Sequence, residues 1–285
     1  MQLPRISGLS GAEYHTKVLY CPYENLLRHI YTLFLFTRSD FKTLLIPVIC
    51  FAMAALPDVQ LYRVPQVVLW EDRVNKGYRP LPSRRLSLQN AIRLRWALVL
   101  VCWLFSLHFN VGTLLASIAV VALTITHNEL GFHGKSWIIR NLLNGLGLAS
   151  YEVGALLVIS SKHAVDMVAF YAVLISAGLF ATTIHAQDFQ DIPGDRMIGR
   201  KTLPIVHPRL ARFSLMILLP LWSILLAYTW RLGIIACYMT NVLSLYVGWR
   251  FLKLADVDSD QQSYVWYNVW LSLTNMLPGY YRYIQ

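Results

Sequence analysis

Charged residues are scarce in this chain. They make up 14% of the 285 residues, whereas 56% of the residues are apolar and the mean hydropathy is +0.47. A soluble domain usually carries about 25% charged residues. The shortage of charge argues against an ordinary soluble protein and indicates a membrane protein that crosses the bilayer several times.

Paired cysteines, a signal peptide and linkers are also missing. The four cysteines are scattered, so their spacing suits neither a zinc site nor a disulfide framework. The opening MQLPRISGLSGAEYHTK lacks the apolar core of a secretory signal, and we expect the first apolar segments to be retained. We therefore expect a cytosolic segment at 1–25 and a single transmembrane domain at 26–285.

Long apolar runs, in contrast, are abundant. Seven are long enough to span a bilayer, and an eighth, at 264–284, is more aromatic and more polar. The seven are 41–57, 90–108, 111–127, 137–160, 164–186, 210–230 and 232–252. A shorter amphipathic run at 26–36 is typical of a segment in the membrane interface. The expected fold class is all-α, a polytopic transmembrane helical bundle of about eight spans around a central cavity.

The basic residues are sorted to one side of the membrane. Sixteen Lys and Arg residues fall in the loops 71–95, 128–140, 187–212 and 250–262, whereas the alternate connections hold Lys162, Arg231 and Arg282. Basic loops usually face the cytosol. The net charge of +10 is thereby explained by membrane topology, and we expect a lipid bilayer rather than nucleic acid as the partner.

The segment 57–70 conflicts with this topology. A span at 41–57 places the chain on the far side of the membrane, yet the loop 71–95 belongs on the near side. As a helix, 57–70 reaches about 21 Å, short of the roughly 30 Å hydrocarbon core. Either the segment crosses partly extended, or 26–57 forms a hairpin, or a span is missing.

Three aspartates follow the apolar run at 164–186, within HAQDFQDIPGDRMIGRKTLP. Asp188, Asp191 and Asp195 are spaced i, i+3 and i+7 and share one face of an α-helix. Like charges on one face are tolerated when a cation lies between them, and Asp oxygens suit Mg²⁺. Pro193 and Gly194 predict that the helix ends or bends near this point, which would open room for a ligand. Lys201 behind them is placed to hold phosphate oxygens. The alternative is a solvated, charged helix end.

A second polar cluster lies in WEDRVNKGYRPLPSRRLS at 70–87. Glu71, Asp72 and Asn75 offer oxygen ligands, and Lys76 and Arg79 offer positive charge. An ordinary basic loop beside the membrane has a similar composition. Because both clusters are expected on the same membrane face, together they predict a two-sided clamp for Mg²⁺ and a diphosphate.

Three further residues are candidates for the same site. Arg140 is placed to reach a phosphate and Asn144 to line the cavity, although both also suit a polar helix end. His185 lies one turn before Asp188 and is expected beside the metal site, facing the cavity.

DFQDIPGDRMIGRKTLP resembles the second Asp-rich motif of the UbiA superfamily of intramembrane prenyltransferases. EDRVNKGYRPLPSRRLS is similar to the end of its first motif, and the finer features resemble the fungal branch with its class I terpene cyclases. The resemblance implies nine spans, bound Mg²⁺ and ionisation of an allylic diphosphate. By match to the motifs, Asp188, Asp191, Asp195 and Asp72 are expected to bind metal, and Lys76, Arg79 and Lys201 to bind diphosphate.

The first motif departs from the family pattern. Val64 and Val68 stand where the family has an Asn and an Asp, so Glu71 and Asn75 are the remaining candidates to complete that metal site. The span that precedes this motif in the family is also largely absent, which agrees with the topological conflict at 57–70.

The resulting hypothesis is a Mg²⁺-dependent, membrane-bound terpene cyclase. Asp191, Asp195 and Asp72 are its expected catalytic residues, and farnesyl or geranylgeranyl diphosphate is its expected substrate. We expect a multi-pass protein of the endoplasmic reticulum with its site facing the cytosol, and no protein partner is implied. The alternatives are an aromatic prenyltransferase and, from another class, a transporter or non-catalytic membrane protein.

Overall fold

The described part of the chain folds into helices joined by short turns. The structure, a computed structural model, describes residues 88–197 and 199–284. Its long helices are α1 Leu88–Phe109, α2 Val111–Thr124, α3 Trp137–Ile159, α4 Met167–Thr183, α5 Pro208–Thr229, α6 Ile234–Lys253 and α7 Val257–Tyr283. The shorter pieces are a π-helical turn Ile125–Glu129, a 3₁₀ segment Ile184–Phe189 and the helices Phe132–Lys135, Ile192–Met197 and Leu203–Val206.

The seven long helices coincide with the seven predicted spans that lie in the described residues, and the all-α fold class is confirmed. The predicted segments 1–25, 26–36, 41–57 and 57–70 lie outside those residues. Five helical stretches are long and apolar enough to cross a membrane: Ile92–Phe109, Val111–Glu129, Trp137–Ile159, Met167–Phe189 and Pro208–Thr229. Helices α6 and α7 have 20 and 27 residues and are more polar.

Apolar side chains cover the outside of the bundle. Leu104 is 70% exposed, Ile217 62% and Ile234 87%, whereas the polar side chains of Glu152 and Ser223 are fully buried. So large an apolar surface is unfavourable in water but is the surface that lipid chains contact. The distribution therefore identifies an integral membrane protein.

Helices α3 and α4 approach each other closely because small residues face one another. A Cβ atom added to Gly145 would lie 2.8 Å from the carbonyl oxygen of Ala177 and 2.8 Å from the Cβ of Ala181. Farther along the pair, the Ser176 hydroxyl donates a 2.6 Å hydrogen bond to Oε1 of Glu152. Inside a bilayer, small residues and interhelical hydrogen bonds are the main means by which helices associate.

Ion pairs fasten both ends of the bundle. At one end, Nη2 of Arg282 lies 2.5 Å from Oδ1 of Asp166. The same carboxylate accepts a hydrogen bond from the Ala169 amide and so caps the start of α4. At the other end, Arg140 near the start of α3 pairs with Asp188 just beyond α4. The segment that carries Asp188, Asp191 and Asp195, called the acidic segment below, therefore lies at the end of the bundle where α3 begins and α4 ends.

The close approach at Gly145 predicts a large difference between two nearby glycines. Gly145→Ala should lower the thermal midpoint in detergent, because the added methyl group forces α3 and α4 apart at a cost of about 1–3 kcal/mol. Gly147→Ala is the matched control, since a Cβ there meets nothing within 4 Å. Alanine is the better helix former, so this control should leave the midpoint unchanged or raise it. Equal midpoints for the two variants would contradict the packing described.

Candidate functional site: the acidic segment beyond helix α4

The three aspartates do not share one helical face, which corrects the prediction from their spacing. Helix α4 ends at Thr183, the chain continues as the 3₁₀ segment Ile184–Phe189, and a new helix begins at Ile192. Proline is the physical reason. Pro193 has no N–H to donate to the Phe189 carbonyl, so one α-helix cannot continue through it, whereas a position in the first turn of a new helix suits it.

This break gives the carboxylates different surroundings. Asp188 and Asp195 are buried, at 2% and 3% exposure, whereas Asp191 between them is exposed. The backbone ties them into one compact segment, because the amide of Asp191 donates to the Asp188 carbonyl and the amide of Asp195 to the Asp191 carbonyl. The segment thus presents one accessible carboxylate flanked by two buried ones.

Asp188 forms a buried ion pair with Arg140. The Nη2–Oδ1 distance is 2.5 Å and the Nε–Oδ2 distance is 3.4 Å, so the guanidinium contacts both carboxylate oxygens. Both side chains are at most 7% exposed. Asp188 was predicted to bind metal and Arg140 to bind diphosphate. In the structure each neutralises the charge of the other.

Asp195 keeps one oxygen without a partner. Its Oδ1 accepts a 2.9 Å hydrogen bond from Nη1 of Arg200, while Oδ2 is buried and has no hydrogen-bond partner. Gly199 allows Arg200 to reach Asp195. Its φ of +70° turns the chain so that the Arg200 amide also donates to the Asp195 carbonyl. Nε of Arg200 and the Thr202 hydroxyl are likewise buried without partners. Such unpaired groups are uncommon in proteins, and a bound ion or water molecule is one physical explanation for them.

The remaining predicted residues are distributed around the segment. His185 is buried against α5, where Nε2 lies 3.0 Å from the Ser214 hydroxyl oxygen, so it contacts that helix rather than the carboxylates. Asn144 is half-buried one turn beyond Arg140, and Lys201 is exposed. The residues of the first motif, Glu71, Asp72, Asn75, Lys76 and Arg79, lie outside the described residues.

Several contacts of the segment were not predicted from the sequence. The Tyr264 hydroxyl donates to Oε1 of Gln187 at 3.3 Å, and the hydroxyls of Tyr267 and Thr183 are 2.8 Å apart. Both tyrosines belong to α7, which therefore packs along the side of the segment. Aromatic residues are frequent throughout this chain, and nothing in the spacing of these two distinguishes them from residues at a membrane interface.

The donor set suits Mg²⁺. Among residues 88–197 and 199–284, no group of three or more His, Cys, Asp or Glu side chains could hold a metal ion by itself. Mg²⁺ needs only one or two protein carboxylates, because it keeps water molecules and takes further ligands from substrate phosphates. Asp191 and the unpaired Oδ2 of Asp195 meet that requirement.

The buried ion pair yields a stability prediction. Arg140→Met should lower the stability by about 3–5 kcal/mol, because it leaves the Asp188 carboxylate buried without a counter-charge. Arg196→Met is the matched control, since Arg196 is exposed on the same segment. Thermal unfolding in detergent should show a large decrease for the first variant and little change for the second. A midpoint for Arg140→Met equal to that of the control would refute the importance of the pair.

Comparison with known proteins agrees with these features. Residues 70–272 match the UbiA prenyltransferase family. The fumagillin β-trans-bergamotene synthase of Aspergillus fumigatus is 31% identical over 88% of this chain and 92% of that protein. A diterpene cyclase of Hericium erinaceus is 27% identical over 85% of both chains.

A solved structure supports the fold. It comes from work on digeranylgeranylglyceryl phosphate synthase in membranes, and it superposes with a TM-score of 0.58 over 88% of this chain and 98% of that one. At 17% identity this likeness concerns the fold alone. Because the family match extends over most of the sequence, the chain belongs to the UbiA prenyltransferase family and is an integral membrane enzyme of the terpene cyclase and prenyltransferase type.

Proposed function

We propose that this enzyme is a Mg²⁺-dependent terpene cyclase that ionises a linear isoprenoid diphosphate and closes the allylic cation into a ring, releasing pyrophosphate. The observation that carries the proposal is the similarity to the Aspergillus fumigatus bergamotene synthase, which extends over nearly the full length of both proteins. The acidic segment supports it, because it combines carboxylate and cationic groups at the end of an apolar bundle. Farnesyl and geranylgeranyl diphosphate are the candidate substrates.

The acidic segment supplies the proposed metal site. Asp191 and Asp195 are the proposed ligands, and Mg²⁺ held there would act as a Lewis acid that stabilises the leaving diphosphate. Asp188 would become a third ligand only by giving up its contact with Arg140. We therefore propose that the Arg140–Asp188 pair chiefly holds the segment in place and offers its guanidinium to the diphosphate.

Cationic side chains complete the proposed diphosphate site. Lys201 is exposed just beyond the segment and is proposed to bind phosphate oxygens. Lys76 and Arg79 are proposed to do so from the first motif, where Asp72, Glu71 and Asn75 are the proposed metal ligands. Asn144 and His185 are proposed to lie beside the substrate without contacting the metal.

The interior of the bundle suits carbocation chemistry. Tyr267 and Trp270 on α7 are fully buried, and their polar tips bond to Thr183 and Ser223. A dry aromatic and aliphatic interior excludes the water that would quench an allylic cation. Tyr267 and Trp270 themselves have no accessible surface, so we propose that they support the wall of the site without contacting the cation.

The location is proposed from the charge distribution. The acidic segment is proposed to face the cytosol, and the basic residues of the neighbouring loops support that orientation. The endoplasmic reticulum is the proposed compartment. Membership of an enzyme family removes the transporter alternative, whereas an aromatic prenyltransferase remains the second candidate because the family includes prenyltransferases.

Substrate dependence separates the two candidates. Membranes containing the protein should be incubated with C15 or C20 diphosphate and Mg²⁺, without any acceptor, and the extract analysed by mass spectrometry. A cyclase should release a cyclic hydrocarbon or alcohol together with pyrophosphate, because the cation is captured by its own double bonds. Turnover that requires an aromatic co-substrate would overturn the cyclase assignment and favour the prenyltransferase.

The metal ligands are tested by substitution. Asp191→Ala and Asp195→Ala should each reduce turnover by roughly 100-fold or more, since even neighbours of metal ligands cost about 10–100-fold when mutated. Asp258→Ala is the control, because Asp258 is an exposed carboxylate near the start of α7. EDTA should abolish the activity of the parent, and added Mg²⁺ should restore it. Full turnover by either of the first two variants would refute the assignment.

A further inference from the structure

Arg212 on α5 joins three helices beside the acidic segment. Its Nη1 donates to the Phe251 carbonyl at 2.5 Å and to Oδ1 of Asp260 at 2.9 Å, and its Nη2 donates to Oδ2 of Asp260 at 2.8 Å. Phe251 lies in the last turn of α6, where carbonyl groups lack helical partners. Asp260 lies near the start of α7, where a negative charge is favoured. One guanidinium thus connects α5, α6 and α7.

The same guanidinium also contacts the acidic segment, through Phe189. Its central carbon lies 4.4 Å from the centroid of the Phe189 ring. The ring is 1% exposed, and its centroid is 5.5 Å from that of Phe251. Phe189 is therefore enclosed between a cation and a second aromatic ring, an arrangement that fixes its orientation.

The contact between Arg212 and Phe189 affects the carboxylates because Phe189 lies among them in the sequence. Phe189 directly follows Asp188 and precedes Asp191 by two residues. In a 3₁₀ segment, successive residues are about 120° apart, so fixing one side chain determines the directions of its neighbours. Arg140 holds the segment from α3 through Asp188, and Arg212 holds it from α5 through Phe189.

We propose that Arg212 is a positioning residue for the diphosphate-ionising site. By holding Phe189, it determines where Asp191 and Asp195 present their carboxylates to Mg²⁺. This inference rests on the proposed function, but it assigns no contact between Arg212 and the metal or the substrate. Lysine cannot replace arginine here, because one point charge cannot reproduce the planar fork that bonds Asp260 and also stacks on the ring.

The first test compares two arginines on α5. Arg212→Lys should raise the Mg²⁺ concentration that gives half-maximal turnover by about ten-fold, as expected when a group that orients metal ligands is lost. Arg209→Lys is the matched control, since Arg209 is exposed on the same helix. It should leave the Mg²⁺ requirement unchanged.

A second variant separates positioning from helix packing. Phe189→Leu keeps the Arg212–Asp260 ion pair but removes the ring that the guanidinium contacts, so it should give the same increase in Mg²⁺ requirement. The double variant should be no worse than either single one, because both remove the same interaction. The thermal midpoint in detergent should be measured for every variant to separate folding from function.

A failure of this inference can be distinguished from a failure of the proposed function. The probe is inorganic pyrophosphate with Mg²⁺, and binding is measured as an increase in thermal midpoint. A parent that shows neither this increase nor Mg²⁺-dependent turnover overturns the proposed function and the inference together. If the parent responds, and Arg212→Lys lowers the midpoint of the free protein without changing the Mg²⁺ requirement, Arg212 is merely structural and the inference alone is overturned. The inference is also overturned if the effects of Arg212→Lys and Phe189→Leu on the Mg²⁺ requirement are fully additive in the double variant.

Discussion

The buried pair between Arg140 and Asp188 is the contact on which the candidate site depends. It links the start of α3 to the segment that follows α4, with both side chains almost fully removed from solvent. A lone charge at this depth would be strongly destabilising, whereas a charge that bonds its partner through two atoms is tolerated. The pair therefore permits an acidic segment to sit at the end of an apolar bundle, where Asp191 is exposed and Oδ2 of Asp195 has no hydrogen-bond partner.

The contacts of Arg212, on α5, complete this arrangement. Three groups surround its guanidinium: the carboxylate of Asp260, the carbonyl of Phe251 and the ring of Phe189. The acidic segment is consequently held from α3 and from α5. An enzyme that binds a triply charged diphosphate benefits from such rigidity, because ligands that are already oriented need no reorganisation when charge develops in the reaction.

The sequence predicted those features that depend only on residues close together in the chain. Hydropathy over about 20 residues determines whether a helix can span a bilayer, so the spans in the described residues were predicted well. The composition of the acidic segment led to a predicted metal site, which stays a prediction. The geometry of the segment was predicted only in part. The break near Pro193 was expected, whereas the shared face inferred from the i, i+3, i+7 spacing was wrong because that break intervenes. The pairs Arg140–Asp188 and Arg212–Asp260 each join residues 48 positions apart. Contacts of that range depend on how helices pack, and no pattern in a single sequence reveals them.

Helices α3 and α4 are linked by two polar contacts at matching intervals. Glu152 follows Arg140 by twelve residues, so the two contacts lie about 18 Å apart along α3. Their partners, Ser176 on α4 and Asp188 in the 3₁₀ segment that follows it, are also twelve residues apart. Between them, Gly145 packs directly against the backbone of α4. If either helix slid along the other by one turn, both polar contacts would break together and the glycine would leave its place. The three contacts therefore hold the two helices in one register along most of their length.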